Sequence, residues 1–155
     1  VLGLDPSAGM LGEAKSLPMP LVRGLGEKLP LQDDTFDFVS MGFALRHVED
    51  LDALFGEIRR VLKPGGIACV LEITQPRRAL VKQPLRVFMT RVVPAFAGLA
   101  NRHRAAGRLM RFYWDTIEAC VPPEAVLAAL ERSGLAAPRR AVVLGLFSEY
   151  VATKT

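Results

Sequence analysis

Asp5 closes the apolar run Val1-Leu-Gly-Leu, which places a carboxylate at the tip of a strand. In doubly wound α/β folds, ligands bind beyond the carboxyl ends of the strands, and an acid there can accept both hydroxyl protons of a ribose. Asp5 also suits the N-cap of the helix that follows, and taken alone it reads more simply that way. Arg46 and His47 stand just beyond a strand that ends near Met41. An imidazole titrates near neutral pH and can take a proton from a reacting group; a satisfied surface histidine accounts for it equally well. Cys69 and Cys120 lie far apart, with no Cys-x-x-Cys or Cys/His ligand spacing. No metal site is expected from them, and a reducing, cytoplasmic compartment is. The Gly-x-Gly-x-x-Gly of a nicotinamide-binding domain is absent,.

The elements that carry these residues follow from apolar spacing. Val1 already reads as mid-strand, and the strand ends at Asp5. Pro6-Ser-Ala-Gly9 turns, Met10–Lys15 is short and helical, and Pro20–Gly24 is a second short strand. Gln32–Thr35 is a turn before the strand Phe36–Met41, which is rich in β-formers,. From about Asp50 to Lys63, Leu51, Leu54, Phe55, Ile58, Val61 and Leu62 fall on one helical face,. Asp50 and Asp52 suit the positive end of that helix, and Lys63-Pro-Gly-Gly66 is expected to end it. Ile67–Ile73 is a continuous apolar run and reads as a strand buried on both faces. Strand, helix, Pro-Gly-Gly turn and strand make a βαβ unit on a parallel sheet. Residues 78–110 read as a helical insertion broken near Pro84 and Pro94. Pro122 and Pro123 open a last helix, with Val126, Leu127 and Leu130 on one face and Gly134 closing it. The tail from Pro138 to Lys154 reads as two strands around Gly145, the second being Phe147–Thr153.

The 155 residues suit one domain, 1–155, with half of them hydrophobic and 23% charged, which excludes a disordered tail or a disulfide scaffold,. No apolar run approaches the roughly 18 residues of a membrane span. The net charge of +4 is unevenly distributed. Residues 1–72 carry 7 basic and 11 acidic side chains, whereas Ile73–Trp114 carries nine arginines and lysines and no acid. Such a block suits an anionic partner or, equally, a solvated arginine-rich face. Nucleic acid is not expected, because no helix-turn-helix, zinc or RNP-type signature accompanies the block.

Gly24-Leu-Gly-Glu-Lys-Leu-Pro30, Asp34-Thr-Phe-Asp37 and Val61-Leu-Lys-Pro-Gly-Gly66 occur in this order with Gly3-Leu-Asp-Pro-Ser-Ala-Gly-Met-Leu11, Phe43-Ala-Leu-Arg-His-Val48 and Val70-Leu-Glu-Ile-Thr-Gln-Pro76. In these segments the chain resembles the S-adenosylmethionine-dependent methyltransferases of the ubiquinone/menaquinone biosynthesis C-methyltransferase family. The resemblance runs to about Gly134 and is strongest through residue 76. It implies an α/β fold with a Rossmann-like methyltransferase sheet, mostly parallel with an antiparallel C-terminal strand pair. It also implies that the chain is N-terminally truncated: the family's first strand and glycine-rich loop have no counterpart, and no other Gly-x-Gly is read after a strand.

The resemblance implies S-adenosyl-L-methionine as cofactor, with Asp5 as the ribose-binding acid, Leu25 and Gly26 beside the adenine, and Gly42 lining the cofactor pocket. The family usually carries Asp or Asn at the position of Leu25 and often Ser at that of Gly42. Leu25 is therefore read as packing, and Gly42 as offering only backbone. Arg46 is implied as a polar catalytic residue, acting through water or stabilising a phenolate, with His47, where the family often has Asn, as the alternative base. The acceptor implied is a lipophilic demethylated quinol such as demethylmenaquinol, and the alternative is another lipid or a polyketide. The basic insertion, about 77–114, is implied as a substrate lid, with Phe88, Phe96, Phe112, Tyr113 and Trp114 as an aromatic lining. Its arginines suit peripheral contact with anionic lipid at the inner face of the membrane. An inactive truncated copy that binds membrane through this block is the non-enzymatic alternative.

Overall fold

The computed structural model describes residues 1–73, 83–84, 86–93, 95, 120–143 and 147–155. Strand β1 (Gly3–Asp5) pairs in parallel with β2 (Leu21–Arg23), with Asp5 opposite Arg23. Between them run α1 (Ala8–Glu13) and a 3-10 turn, Ala14–Ser16. Ser7, not Asp5, is the N-cap of α1: its hydroxyl accepts from the Met10 N–H at 3.3 Å. Asp5 Oδ1 instead accepts from the Ser7 N–H at 2.7 Å and holds the turn before the helix,.

The βαβ unit forms as expected. Strand β3 (Phe36–Gly42) leads to a 3-10 turn, Leu45–His47, then helix α2 (Leu51–Val61), then β4 (Leu62–Ile73), parallel to β3. Asp50 caps α2 by accepting from Asp52 N and Ala53 N at 2.9 and 3.0 Å,. Leu54, Phe55, Ile58 and Val61 of α2 are all buried,. The helix ends at Val61, two residues before the expected Lys63, because Leu62 is already extended and pairs with Phe36. Lys63 reaches across β3 to the Asp37 carboxylate at 2.9 Å.

Helix α3 (Pro123–Arg132) buries Val126, Ala129 and Leu130, and Gly134, with a positive φ of 81°, lets the chain turn out of it,. Arg132 donates twice to Asp52, which ties α3 to α2. Strand β5 (Leu135–Val143) starts earlier than the sequence suggested, and it pairs antiparallel with β6 (Phe147–Lys154); Gly145 lies outside the described residues. β6 in turn pairs antiparallel with β4, which gives a sheet ordered β3-β4-β6-β5.

Helices α2 and α3 cover one face of that sheet, over Ala68, Val70, Tyr150 and Ala152. The other face carries the alternate residues. Ile67 and Leu71 are 40% and 41% exposed, so β4 is buried on one face and not on both as its apolar run suggested,. Among the described residues, β1 and β2 form a sheet of their own, and no strand pairs with the outer edge of β3.

Of the basic insertion, Gln83, Pro84 and Arg86–Val93 have helical backbone, with a π-helical turn at Phe88–Val92. Phe88 is 53% exposed. The break expected at Pro94, the residues Phe96, Phe112, Tyr113 and Trp114, and most of the basic block lie outside the described residues.

Candidate functional site

The residues implicated by sequence fall at the carboxyl ends of the parallel strands. Asp5 ends β1, Leu25 and Gly26 follow β2, Gly42 ends β3, and Arg46 and His47 lie on the turn after β3. These ends belong to two sheets, β1-β2 and the sheet of β3, and carboxyl ends of parallel strands are where such folds offer their loops to a ligand,. The Gly24 N–H donates to the Asp5 carbonyl at 3.4 Å, so the loop after β2 starts against the tip of β1.

That loop contains Gly24-Leu25-Gly26, a Gly-x-Gly directly after a strand, which the sequence reading passed over. No helix follows it, so it is not a dinucleotide-binding turn. Each glycine has a packing reason. A Cβ on Gly24 would lie 2.8 Å from Pro30 Cδ, and one on Gly26 2.8 Å from Leu54 Cδ1. Leu25 is 56% exposed, which overturns its reading as a packing residue and leaves its side chain at the surface of the loop. The loop is clamped from α2. Glu57 accepts from the Leu29 N–H at 2.7 Å, and Arg60 donates to the Leu29 and Leu31 carbonyls and to Asp33. The hydrogen bonds from Arg60 hold the Glu57 carboxyl below its ordinary range, with the Leu29 N–H and the Arg60 charge adding to the effect,.

Asp5 is half-buried, with Oδ1 engaged by the Ser7 N–H. A carboxylate has about four lone-pair positions, so it retains acceptors for a ribose hydroxyl. Gly42 has open space where a side chain would stand: nothing approaches a Cβ placed there within 4 Å. These residues fit the ribose and backbone contacts of a nucleoside-bearing cofactor.

The turn after β3 is the most constrained part of the site. Phe43 has a φ of +56°, a left-handed conformation that a bulky residue adopts only when its surroundings hold it there,. Its N–H donates to the Leu71 carbonyl at 2.7 Å, and its ring meets that of Phe147 edge-on, with centroids 6.2 Å apart. Leu45 is buried, and its N–H donates to Glu72 Oε2 at 3.0 Å. Glu72, near the end of β4, is itself buried; its Oε1 accepts from the Ile73 N–H at 2.9 Å and lies 3.6 Å from Arg46 Nη1. Arg46 is therefore largely enclosed, while the neighbouring His47 is exposed.

Cys120, remote in sequence, belongs to this neighbourhood. Burial, with the Glu72 charge adding to it and Arg46 opposing, pushes its thiol up to about 11. Such a thiol stays protonated at neutral pH and is not a nucleophile there. Glu72 and Cys120 were missed by sequence reasoning. Only the register of β4 against β3 brings Glu72 under the turn, and no spacing pattern records that.

Among the described residues, no cluster of His, Cys, Asp or Glu could hold a metal ion. No helix among them is long and apolar enough to cross a membrane.

The model of the ubiE/COQ5 methyltransferase family matches residues 7–138. The demethylmenaquinone methyltransferase of Staphylococcus carnosus (strain TM300) is 42% identical over 104 residues, 64% of this chain and 43% of that protein. The demethylmenaquinone methyltransferase of Lysinibacillus sphaericus (strain C3-41) is also 42% identical, over 62% of this chain and 43% of its own length. The chain thus spans less than half the length of these curated relatives. A SAM-dependent methyltransferase of Thermotoga maritima, described as a possible histamine N-methyltransferase, superposes with a TM-score of 0.66 at 18% identity, over 99% of this chain and 72% of that one. A SAM-dependent methyltransferase of Aquifex aeolicus gives 0.66 at 17%, over 100% of this chain and 69% of that one. At such identities the structural likeness establishes the fold, an α/β methyltransferase sheet. The match across residues 7–138 goes further, and on it the chain belongs to the ubiE/COQ5 methyltransferase family.

Proposed function

We propose that this chain supplies the ribose-binding and acceptor-facing part of an S-adenosylmethionine-dependent C-methyltransferase whose acceptor is a demethylated quinol such as demethylmenaquinol. The observation that carries this reading is a guanidinium, Arg46, presented on a pinned turn beyond the carboxyl end of β3, as Asp5 stands at the carboxyl end of β1. The substrate named in the curated relatives supports the choice of acceptor.

Asp5 would hold the cofactor ribose, with Leu25, Gly26 and Gly42 around the adenine and the pocket wall. The cofactor, when bound, supplies an electrophilic methyl group. An aromatic carbon attacks well only when a neighbouring phenolic oxygen loses or shares its proton. Arg46 stabilises the negative charge that develops on that oxygen, in surroundings where most of its side chain is out of water,. His47, exposed beside it, takes the proton and passes it to solvent,. The transfer of labelled methyl to a short-chain naphthohydroquinol tests this reading. Arg46→Met is expected to lower kcat about 100-fold, and Asp5→Ala to raise KM for the cofactor instead. Transfer to a polyketide or other lipid but not to the hydroquinol would reject the quinol reading.

The basic insertion is read as a face toward anionic lipid, supported by exposed Arg86 and Arg91 within a block that lacks acids. Co-sedimentation with phosphatidylglycerol vesicles should weaken when both become Gln; unchanged binding would leave the block as solvated surface.

A further inference from the structure

We propose that Glu72 is a positioning residue, which holds the Arg46 guanidinium by charge while leaving its hydrogen-bond donors for the acceptor's oxygen. The inference rests on the quinol reading for the identity of that oxygen, but not for the positioning itself.

Glu72 is the one buried carboxylate among the described residues, at 2% exposure. A buried charge persists only where partners replace its water. Two backbone N–H groups, of Leu45 and Ile73, supply part of that replacement, and Arg46 supplies the countercharge. The partners come from both sides: Ile73 ends β4, and Leu45 and Arg46 lie on the turn after β3. Glu72 therefore fixes the backbone of the turn and the side chain it presents in one step.

The form of the Arg46 contact is informative. A structural arginine usually forms a two-pronged hydrogen-bonded fork with its carboxylate, as Arg132 does with Asp52,. Arg46 Nη1 stands 3.6 Å from Glu72, too far for a hydrogen bond,. Its Nε is enclosed with no partner among the described residues. An Nη group that is oriented by a charge but not hydrogen-bonded to it suits an oxygen that becomes anionic only during reaction,.

Nitrogen-edited NMR of the arginine Nε–H groups in this chain tests the positioning without any need for turnover. The Arg46 signal is identified by its loss in Arg46→Lys. It should exchange with water at least about tenfold more slowly than the exposed Arg86 and Arg91 signals. In Glu72→Gln, which keeps an acceptor for the Leu45 N–H but removes the charge, that protection should be lost. Exchange of Arg46 as fast as Arg86 in the wild-type chain would overturn the proposal, and so would protection that survives Glu72→Gln. The wild-type comparison decides even if the variant fails to fold. In turnover, Glu72→Gln should lower kcat about tenfold or more with the cofactor KM unchanged. Added to Arg46→Met it should cost nothing further, whereas a merely structural role would add. Protected Arg46 with no transfer to hydroquinol would reject the quinol reading and leave the positioning in place.

Discussion

Gly26 and Gly42 carry the same residue type for opposite reasons. A methyl on Gly26 would press on Leu54, a core residue of α2 that is 2% exposed. Gly26→Ala should therefore destabilise the chain by about 1–2 kcal/mol, the cost of overpacking a site whose neighbour cannot easily move. Gly42 has nothing within 4 Å of its would-be Cβ, and its φ is not in the left-handed region. Gly42→Ser should leave stability within about 0.5 kcal/mol. The added hydroxyl, in the pocket wall proposed above, should tighten S-adenosylhomocysteine binding by about 1 kcal/mol, roughly fivefold. Denaturant titration of both variants, with calorimetry on the second, checks the pair. A stable Gly26→Ala would mean that the loop after β2 is looser than its clamp implies. At this scale the sequence identified positions better than environments. Asp5, Gly42 and Arg46 all stand at strand ends as read. Leu25, however, is exposed, and the cap assigned to Asp5 belongs to Ser7. An apolar type does not reveal whether a loop residue packs, and two capping residues two positions apart are equivalent in sequence.

Helix α2 carries the site's support as well as the core. One face packs into the sheet, while Glu57 and Arg60 on another hold the loop of Gly24–Asp33 through its backbone. Because the Glu57 carboxyl is held below its ordinary value of 4.5, its contribution to stability is complete above that pH,. The contribution is lost as pH falls through the lower value of the folded state. Asp37, paired with Lys63, shifts in the same direction, so the difference between wild type and Glu57→Gln isolates the clamp. At pH 7 the variant should be less stable by about 1 kcal/mol, allowing for solvent screening. The gap should close as the solution is acidified below 4.5. A gap that stays constant with pH would mean that Glu57 acts by shape and not by charge. The helix was legible because six apolar residues at helical spacing and an Asp cap agree with one another. Its partner interactions were not, since the loop it grips is held mainly through the backbone N–H and carbonyl groups of Leu29 and Leu31, which carry no sequence signal.

The four-stranded sheet has two unequal faces. Alternation along β4 puts Ala68 and Val70 under α2 and α3, and Ile67 and Leu71 on the opposite side. Register extends that second side across the sheet: Phe38 is opposite Ile67, and Phe147 joins Ile73 to Val143. Phe38, Ile67, Leu71, Phe147 and Val143 are each between 38% and 55% exposed. From sequence alone, β4 read as doubly covered, because a continuous apolar run looks the same whether one face or two is packed. What the composition could not supply is the area of cover, which depends on how many helices reach each side. Exposed apolar residues of this kind drive association, with Glu149 of β6 opposite Leu71 as the charge among them,. The chain is accordingly expected to self-associate as its concentration rises, read by sedimentation velocity. Leu71→Lys places a charge in the middle of that face at a position already 41% exposed, and it should reduce the association while changing stability little,. Val70→Lys, one residue away but 1% exposed on the covered side, should unfold the chain instead, because it buries an unpaired charge in the core,. If Leu71→Lys destabilised the fold as Val70→Lys does, the second face of β4 would be covered in solution, and the two-faced reading of its apolar run would be restored.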